Sequence, residues 1–251
     1  MTLKFPDLPK TWLDAFLAFF YPPVCQLCLM NRATPAEGFV CETCVTGKNG
    51  VRYIEPPFCG KCGLPFEGAI EVAFECGNCK ELELSFDSAR SAVVANQLVL
   101  NVIHKYKYEG GLWFEPFLAS LLIKKVQTSA DVKEFDLIVP VPLYSARRRE
   151  REFNQSERLG KRLAKELGLP LSTRGIERTR PTTTQTMLTR SERATNVRNA
   201  FTVKDKKLFS KKRVMLVDDV MTTGATTSAC ARAIRRAGAK SVHVWTVARG
   251  L

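Results

Sequence analysis

The stretch from Arg213 to Gly238, RVMLVDDVMTTGATTSACARAIRRAG, constrains the fold of this chain more than any other. Val214 to Val217 is a short apolar run of β-branched and aliphatic residues and reads as a buried strand. Asp218 and Asp219 stand at its C-terminal end. Small, mostly hydroxyl-bearing residues follow: Thr222, Thr223, Gly224, Ala225, Thr226 and Thr227. Helix formers then run from Ala229 to Ala237 and stop at Gly238. A loop of this kind at a helix start aims backbone N–H groups, threonine hydroxyls and the positive end of the helix dipole at one point, which suits a phosphate dianion. Gly224 would let the backbone come close to it.

Two carboxylates directly before such a loop need a cationic or hydroxylic partner, and a vicinal diol offers one. A sugar carrying a 5-phosphate would place its phosphate on the loop while its 2- and 3-hydroxyls donate to Asp218 and Asp219. Val214 to Thr227 closely resembles the phosphoribosyl-pyrophosphate (PRPP) motif of type I phosphoribosyltransferases, with its hydrophobic run, Asp-Asp and Thr-Thr-Gly-Ala-Thr. The resemblance implies that Val220, Met221, Thr222, Thr223, Gly224, Ala225 and Thr226 hold the 5-phosphate. The bland alternative is an ordinary βα turn with a capped helix. A response-regulator acidic pair would lie near the start of its domain, whereas only 32 residues follow Asp219. A Walker loop needs a Gly-Lys-Ser/Thr end that is absent here.

Eight of the nine cysteines fall in four C-x-x-C pairs: Cys25/Cys28, Cys41/Cys44, Cys59/Cys62 and Cys76/Cys79. With no export signal before them, metal explains them better than disulfides, and the chain is expected in the cytoplasm. Eight thiolates make two structural zinc sites of four cysteines each. Nearly equal gaps also permit a cross-braced pairing. An internal repeat favours sequential quartets: Tyr21-Pro-Pro-Val-Cys25 and Glu55-Pro-Pro-Phe-Cys59 match at an offset of 34 residues. Gly60, Gly63 and Gly77 fit tight metal knuckles. Ribbons this small cannot bury a core alone, so metal must carry their folding. Four cysteines leave no open coordination position for catalysis. Cys230 is expected to pack as a small hydrophobe.

The 251 residues allow one large domain or two unequal ones, and no run approaches the ~20 apolar residues of a membrane span. Trp12 to Val24 is aromatic, is interrupted by Asp14 and lacks a cleavage site, so a short amphipathic helix is expected there. The net charge of +13 is unevenly spread. Residues 1–86 hold 7 Lys/Arg against 10 Asp/Glu, whereas Leu143 to Arg213 holds 20 against 7. This concentration points to polyanionic partners, a pyrophosphate or single-stranded DNA, against the plainer reading of a solvated basic surface.

From Asp87 strands and helices alternate: Ala89–Val94, Gln97–Lys105, a helix through Leu121 and Leu122, Phe135–Val141, Ser156–Leu167, Arg213–Val217, Thr226–Ala237 and Ser241–Ala248. That pattern argues an α/β fold with a parallel sheet, flanking helices, and ligands beyond the strand carboxyl ends. The strand before Pro140 is followed by Pro142 and Leu143, then by Arg147, Arg148, Arg149 and Arg151. A proline-stiffened turn delivering guanidinium groups suits a pyrophosphate.

These arginines, Phe153-Asn154-Gln155, and later Gln185, Leu188, Arg193, Asn196, Ala200 and Phe201 resemble the ComF family. Its members join a double zinc ribbon to a type I phosphoribosyltransferase-like domain and are associated with natural competence. The resemblance implies an N-terminal segment over 1–24, a double ribbon over 25–86 and a phosphoribosyltransferase-like domain over 87–251. Pro142, Leu143, Arg147, Arg149 and Arg151 would hold pyrophosphate with Mg2+, and Lys107 would join Asp218 and Asp219 in the catalytic site. The family usually has glycine where this chain has Glu152, which leaves the local loop geometry open. His104, near a helix end, is read as a packing or capping residue rather than a base.

Two functions follow as expectations. One is phosphoribosyl transfer from PRPP in DNA uptake, natural competence or nucleotide metabolism. The other is a non-catalytic platform for single-stranded DNA or a nucleotide, with competence-machinery proteins as partners. The acceptor is unreadable from the sequence.

Overall fold

The computed structural model describes residues 23–68, 74–180 and 200–251. Residues 12–22 of the expected N-terminal helix, and positions Gln185, Leu188, Arg193 and Asn196, lie outside them.

Four parallel strands form the sheet: β1 (Ser88–Val94), β2 (Leu137–Pro140), β5 (Arg213–Met221) and β6 (Ser241–Arg249), in the order β1-β6-β5-β2. The run from Val214 to Val217 is wholly buried because both faces of the sheet are covered. Val214 and Leu216 face helix α7 (Ala225–Arg236), through Cys230, Ala231 and Ile234. Met215 and Val217 face the opposite layer. That layer holds α3 (Gln97–Tyr108), α4 (Glu115–Ser129) and α6 (Gln155–Leu167). Burying a Val, Leu or Ile side chain is worth about 1.5–3 kcal/mol, so this alternation is what fixes the strand register. Cys230 is fully buried, as a small hydrophobe would be.

Local signals set the helix ends. Asn96 caps α3 by accepting from Val99 N at 3.1 Å, and Asn154 caps α6 by accepting from Ser156 N at 3.1 Å. Gly168 closes α6 in the left-handed conformation, φ 66°.

The cysteine half contributes two short helices, α1 (Glu42–Thr46) and α2 (Gly77–Glu81), each entered from a metal-type cysteine, Cys41 and Cys76. Its chain also covers the outer edge of β1. Ile54 N donates to Ala92 O at 3.0 Å, Val94 N to Arg52 O at 2.8 Å, and Ala89 N to Lys61 O at 2.8 Å. An edge strand that would otherwise present unpaired N–H and C=O groups is thereby closed by the ribbons. No helix among the described residues is long and apolar enough to cross a membrane.

Three local expectations need correction. Strand β5 does not end at Val217. It runs to Met221, because β6 continues alongside and pairs Asp218 with Thr246 and Val220 with Ala248. The arginine segment after Leu143 is a helix, α5 (Ser145–Arg151), rather than a turn. An antiparallel pair, β3 (Ile176–Arg178) with β4 (Phe201–Val203), was not expected, since three-residue strands carry no readable period.

Candidate functional site

Asp218 and Asp219 reach the C-terminal end of β5 with opposite partners, because adjacent side chains on a strand point to opposite faces. Asp218 faces α6, where Ser156 Oγ donates to its Oδ1 at 2.7 Å. Asp219 faces α3, where Lys107 Nζ forms an ion pair with its Oδ2. Both carboxylates are buried. Burial, reinforced by the neighbouring Asp219, pushes Asp218 up to about 7, while Ser156 and Lys107 act in the other direction. Backbone groups complete the arrangement: Asp219 N donates to Asp218 Oδ1 at 3.0 Å and Val220 N to Asp219 Oδ1 at 2.9 Å.

Beyond the pair the chain turns through Thr222, Thr223 and Gly224 into α7. A cleft here is lined by Asp218, Val220, Met221, Thr222, Thr223, Gly224, Ala225, Thr226 and Thr227. Asp218 and the threonine loop therefore share one opening, while Asp219 is turned to Lys107 on the other face of the strand. Thr223 Oγ1 accepts from Ala225 N at 3.4 Å, and Thr227 Oγ1 donates to Gly224 O at 3.0 Å, which shapes the first turn of α7. Gly224 has φ 78°, and a Cβ there would lie 2.9 Å from Met221 Cε and 3.6 Å from Phe86. Its glycine is thus required by left-handed backbone and by packing under the loop.

The arginines divide. Arg147 is partly buried on α5 and interacts electrostatically with Arg178 of β3, a residue the sequence reading missed. Burial and Arg147 lower the Arg178 pKa from its ordinary value, with Asp218 opposing them. Arg178 is thus within electrostatic reach of both the Arg147 guanidinium and the Asp218 carboxylate. Arg148 turns to Glu157 at 3.4 Å, and Arg149 is exposed. Arg151 is buried instead, with Nη2 donating to Tyr108 Oη at 2.6 Å and its guanidinium 4.5 Å from the Tyr108 ring centre. Its other amino group reaches Gln155 Oε1 at 3.3 Å. It braces α3 against α6. Pro142 and Leu143 are partly buried in the connection between β2 and α5.

Ser156 was also missed, although its signal was present one residue after the Phe153-Asn154-Gln155 motif. Asn154 Nδ2 donates to Val141 O at 3.1 Å, which pins the start of α6 to the end of β2 and brings Ser156 to Asp218. Glu152 adopts φ 63°, the left-handed conformation a glycine would take without strain. His104 is exposed and pairs with Glu109 at 3.2 Å.

The cysteines gather into two sequential quartets, Cys25/Cys28/Cys41/Cys44 and Cys59/Cys62/Cys76/Cys79, with ligand atoms within 4.8 Å of one another. Five of the sulfur pairs lie 3.6–3.8 Å apart. Tetrahedral zinc–sulfur bonds of about 2.3 Å place sulfurs about 3.8 Å apart, so both donor sets fit zinc. The repeat holds at atomic level. Leu29 N and Gly63 N donate to Cys25 O and Cys59 O, each at 2.9 Å, and both residues are left-handed, with φ 58° and 66°. Only at Gly63 is a side chain excluded, since a Cβ would fall 2.6 Å from Ala89 O of β1. Gly77 has open space around it, so the knuckle argument does not apply there.

A phosphoribosyl transferase domain model matches residues 154–251, and a double zinc ribbon domain model matches residues 16–80. The chain is 32% identical over 199 residues to Competence protein F of Haemophilus influenzae, covering 77% of this chain and 85% of that protein. It is 33% identical over 233 residues to DNA utilization protein YhgH of Salmonella typhimurium, covering 92% of this chain and 98% of that protein. Over 205 residues it is 27% identical to Competence protein ComFC of Streptococcus pneumoniae, covering 76% and 87% respectively. With both domain types in sequence and relatives matched along most of their length, the chain belongs to the ComF family.

Proposed function

We propose that the cleft at the end of β5 binds PRPP with Mg2+. The observation that carries this reading is the opening that Asp218 shares with the Thr222–Thr227 loop, with Asp219 next to it at the end of the same strand. The loop, at the N-terminus of α7, takes the 5-phosphate, and the two carboxylates accept from the ribose hydroxyls. Arg147, Arg149 and Arg151 of α5, with Pro142 and Leu143 before them, hold the pyrophosphate, and Arg178 joins them. Mg2+, which favours one or two carboxylates together with substrate phosphates, suits this oxygen donor set and would neutralise leaving-group charge. Zinc in the two cysteine quartets is structural.

In the catalytic reading, the bond from the anomeric carbon to pyrophosphate breaks through an oxocarbenium-like state as an acceptor bonds to that carbon. Held groups, rather than a general base, supply most of the acceleration. The names of the relatives support a place in DNA uptake or utilisation. A second reading, a platform for single-stranded DNA in the same process without turnover, is favoured by the +13 charge concentrated over Leu143 to Arg213. Binding by that region would fall steeply with rising salt. Equal binding by residues 1–86 alone would refute the placement.

Titration calorimetry with PRPP and Mg2+ tests the site. The wild type binds, and Asp219→Asn loses a charge-assisted hydrogen bond worth about 1.5–3 kcal/mol, a roughly ten- to hundredfold weakening. No detectable binding by the two-zinc wild type would remove the assignment. Binding without pyrophosphate release across the nucleobases would favour the platform.

A further inference from the structure

Arg249, the last residue of β6, is buried and spans two parts of the molecule that the sequence separates widely. On one side its Nε donates to Cys62 O at 3.3 Å and its Nη2 approaches Cys62 Sγ at 3.6 Å. On the other, Nη1 is directed at Met221 O, at 3.1 Å, at Thr222 O, and at Gly250 O, at 2.6 Å. Gly250 N returns a bond to Met221 O at 2.9 Å. One guanidinium thus holds a ligand of the second cysteine quartet and the entry to the threonine loop together. A cavity of about 410 Å³ between them is lined by Cys62, Cys79, Thr222, Thr223, Arg249 and Gly250, among others.

Among the described residues the first quartet has no such polar link: its sulfurs contact one another, Asn31 and the Cys41 N–H of their own ribbon. The two ribbons dock on different elements: the second lies against β1 so closely that Gly63 admits no Cβ, and the first lies against α4, where a Cβ on Gly38 would fall 2.6 Å from Phe117 N.

We propose that Arg249 is a positioning residue that couples the metal of the second quartet to the conformation of the phosphate loop, so that anion binding at Thr222–Thr227 requires the second metal and not the first. A hydrogen bond to a metal-bound thiolate orients the ligand and tunes metal affinity. The same guanidinium fixes the Met221 and Thr222 carbonyls, and hence the direction of the N–H groups that follow. Coupling of this kind is reciprocal: loop occupancy tightens the second metal by the factor by which the metal tightens the loop. The inference rests on the reading of the loop as a phosphate site for its ligand, but not for the mechanical link.

The test uses the full chain loaded with two zinc ions. Stepwise removal by a chelator is followed by metal release and by hydrogen exchange of the amides from Met221 to Ser228. In the wild type, loss of zinc from the second quartet accelerates exchange in the loop, and loss from the first, isolated in Cys25→Ser, does not. In Arg249→Ala one of the two zincs is weakened about 10- to 100-fold and the other is unchanged. Added ethylguanidine, which the adjoining cavity can admit, partly restores both zinc retention and loop protection, as a merely destabilised fold would not allow. Loop exchange in the wild type that ignores the second zinc overturns the coupling, whether or not the variant folds. PRPP titrations run alongside separate the two readings. If PRPP fails to bind while loop exchange follows the second zinc, the ligand is wrong and the coupling stands. If PRPP binds while exchange ignores that zinc, the coupling falls.

Discussion

Lys107, in the last turn of α3, forms an ion pair with Asp219 at the end of β5, and both side chains are largely withdrawn from water. The pair closes the site from the side opposite Ser156, leaving one carboxylate facing a cation and the other a hydroxyl. A lone charge left in such a place is costly, since desolvation is no longer offset by attraction. Lys107→Met is therefore expected to destabilise the fold by about 3 kcal/mol in denaturant titration. Lys107→Met combined with Asp219→Asn should cost less than the single change, because no charge is orphaned. Equal or greater loss in the double variant would show that the pair is not what holds the two elements.

Asp218 keeps its proton to about pH 7, whereas an unfolded aspartate loses it near pH 4. Between those values the folded state binds more protons, so stability falls as pH rises from about 4 to 7 and is level above. Thermal unfolding across that range should show the decline, and Asp218→Asn should flatten it. A diol donates to the ionised carboxylate, so PRPP affinity should move the opposite way and improve from pH 6 to 8. The phosphates titrate in the same direction. The part belonging to Asp218 is the difference between wild type and Asp218→Asn, and identical profiles would exclude it.

Sequential quartets predict two zinc ions per chain and independent losses. Cys25→Ser or Cys28→Ser should leave one zinc, as should Cys59→Ser or Cys76→Ser, each measured on protein purified without added metal. Chelation of both should unfold the first ribbon, whose own buried cluster around Cys25, Ala33 and Cys41 is too small to persist alone. A full complement of two in any of these variants would contradict the pairing.

Glu152 holds a left-handed conformation at the C-terminal end of α5 with its side chain exposed. Relief of about 1–2 kcal/mol of left-handed strain is partly offset by the greater unfolded freedom of glycine. Glu152→Gly should therefore stabilise by roughly 0.5–1 kcal/mol, read from the thermal midpoint. Glu152→Val, branched at Cβ, should destabilise. Stabilisation by valine would mean that the turn rearranges.

Much of this protein was determined by short-range pattern. The buried run Val214–Val217, the acidic pair and the small-residue loop specify a strand, a polar end and a helix start through local sterics and hydrogen bonding alone. The cysteine spacing and its repeat specified the quartets, because two C-x-x-C pairs on one small ribbon can converge on one metal without help from elsewhere. What the pattern could not supply were relationships between residues that meet only on folding. The extension of β5 to Met221 depends on β6 running beside it. The burial of Arg151 depends on Tyr108, the approach of Arg178 to Arg147 on a β3–β4 pair too short to leave a period, and the Ser156 contact on Asn154 fastening α6 to Val141. Arg249 looks like any cation near a chain end until β6 sets it between Cys62 and Met221. Side-chain type and spacing decide which chemistry is present; strand order and helix packing decide which groups share a site, because long-range contacts are written in no single stretch of chain.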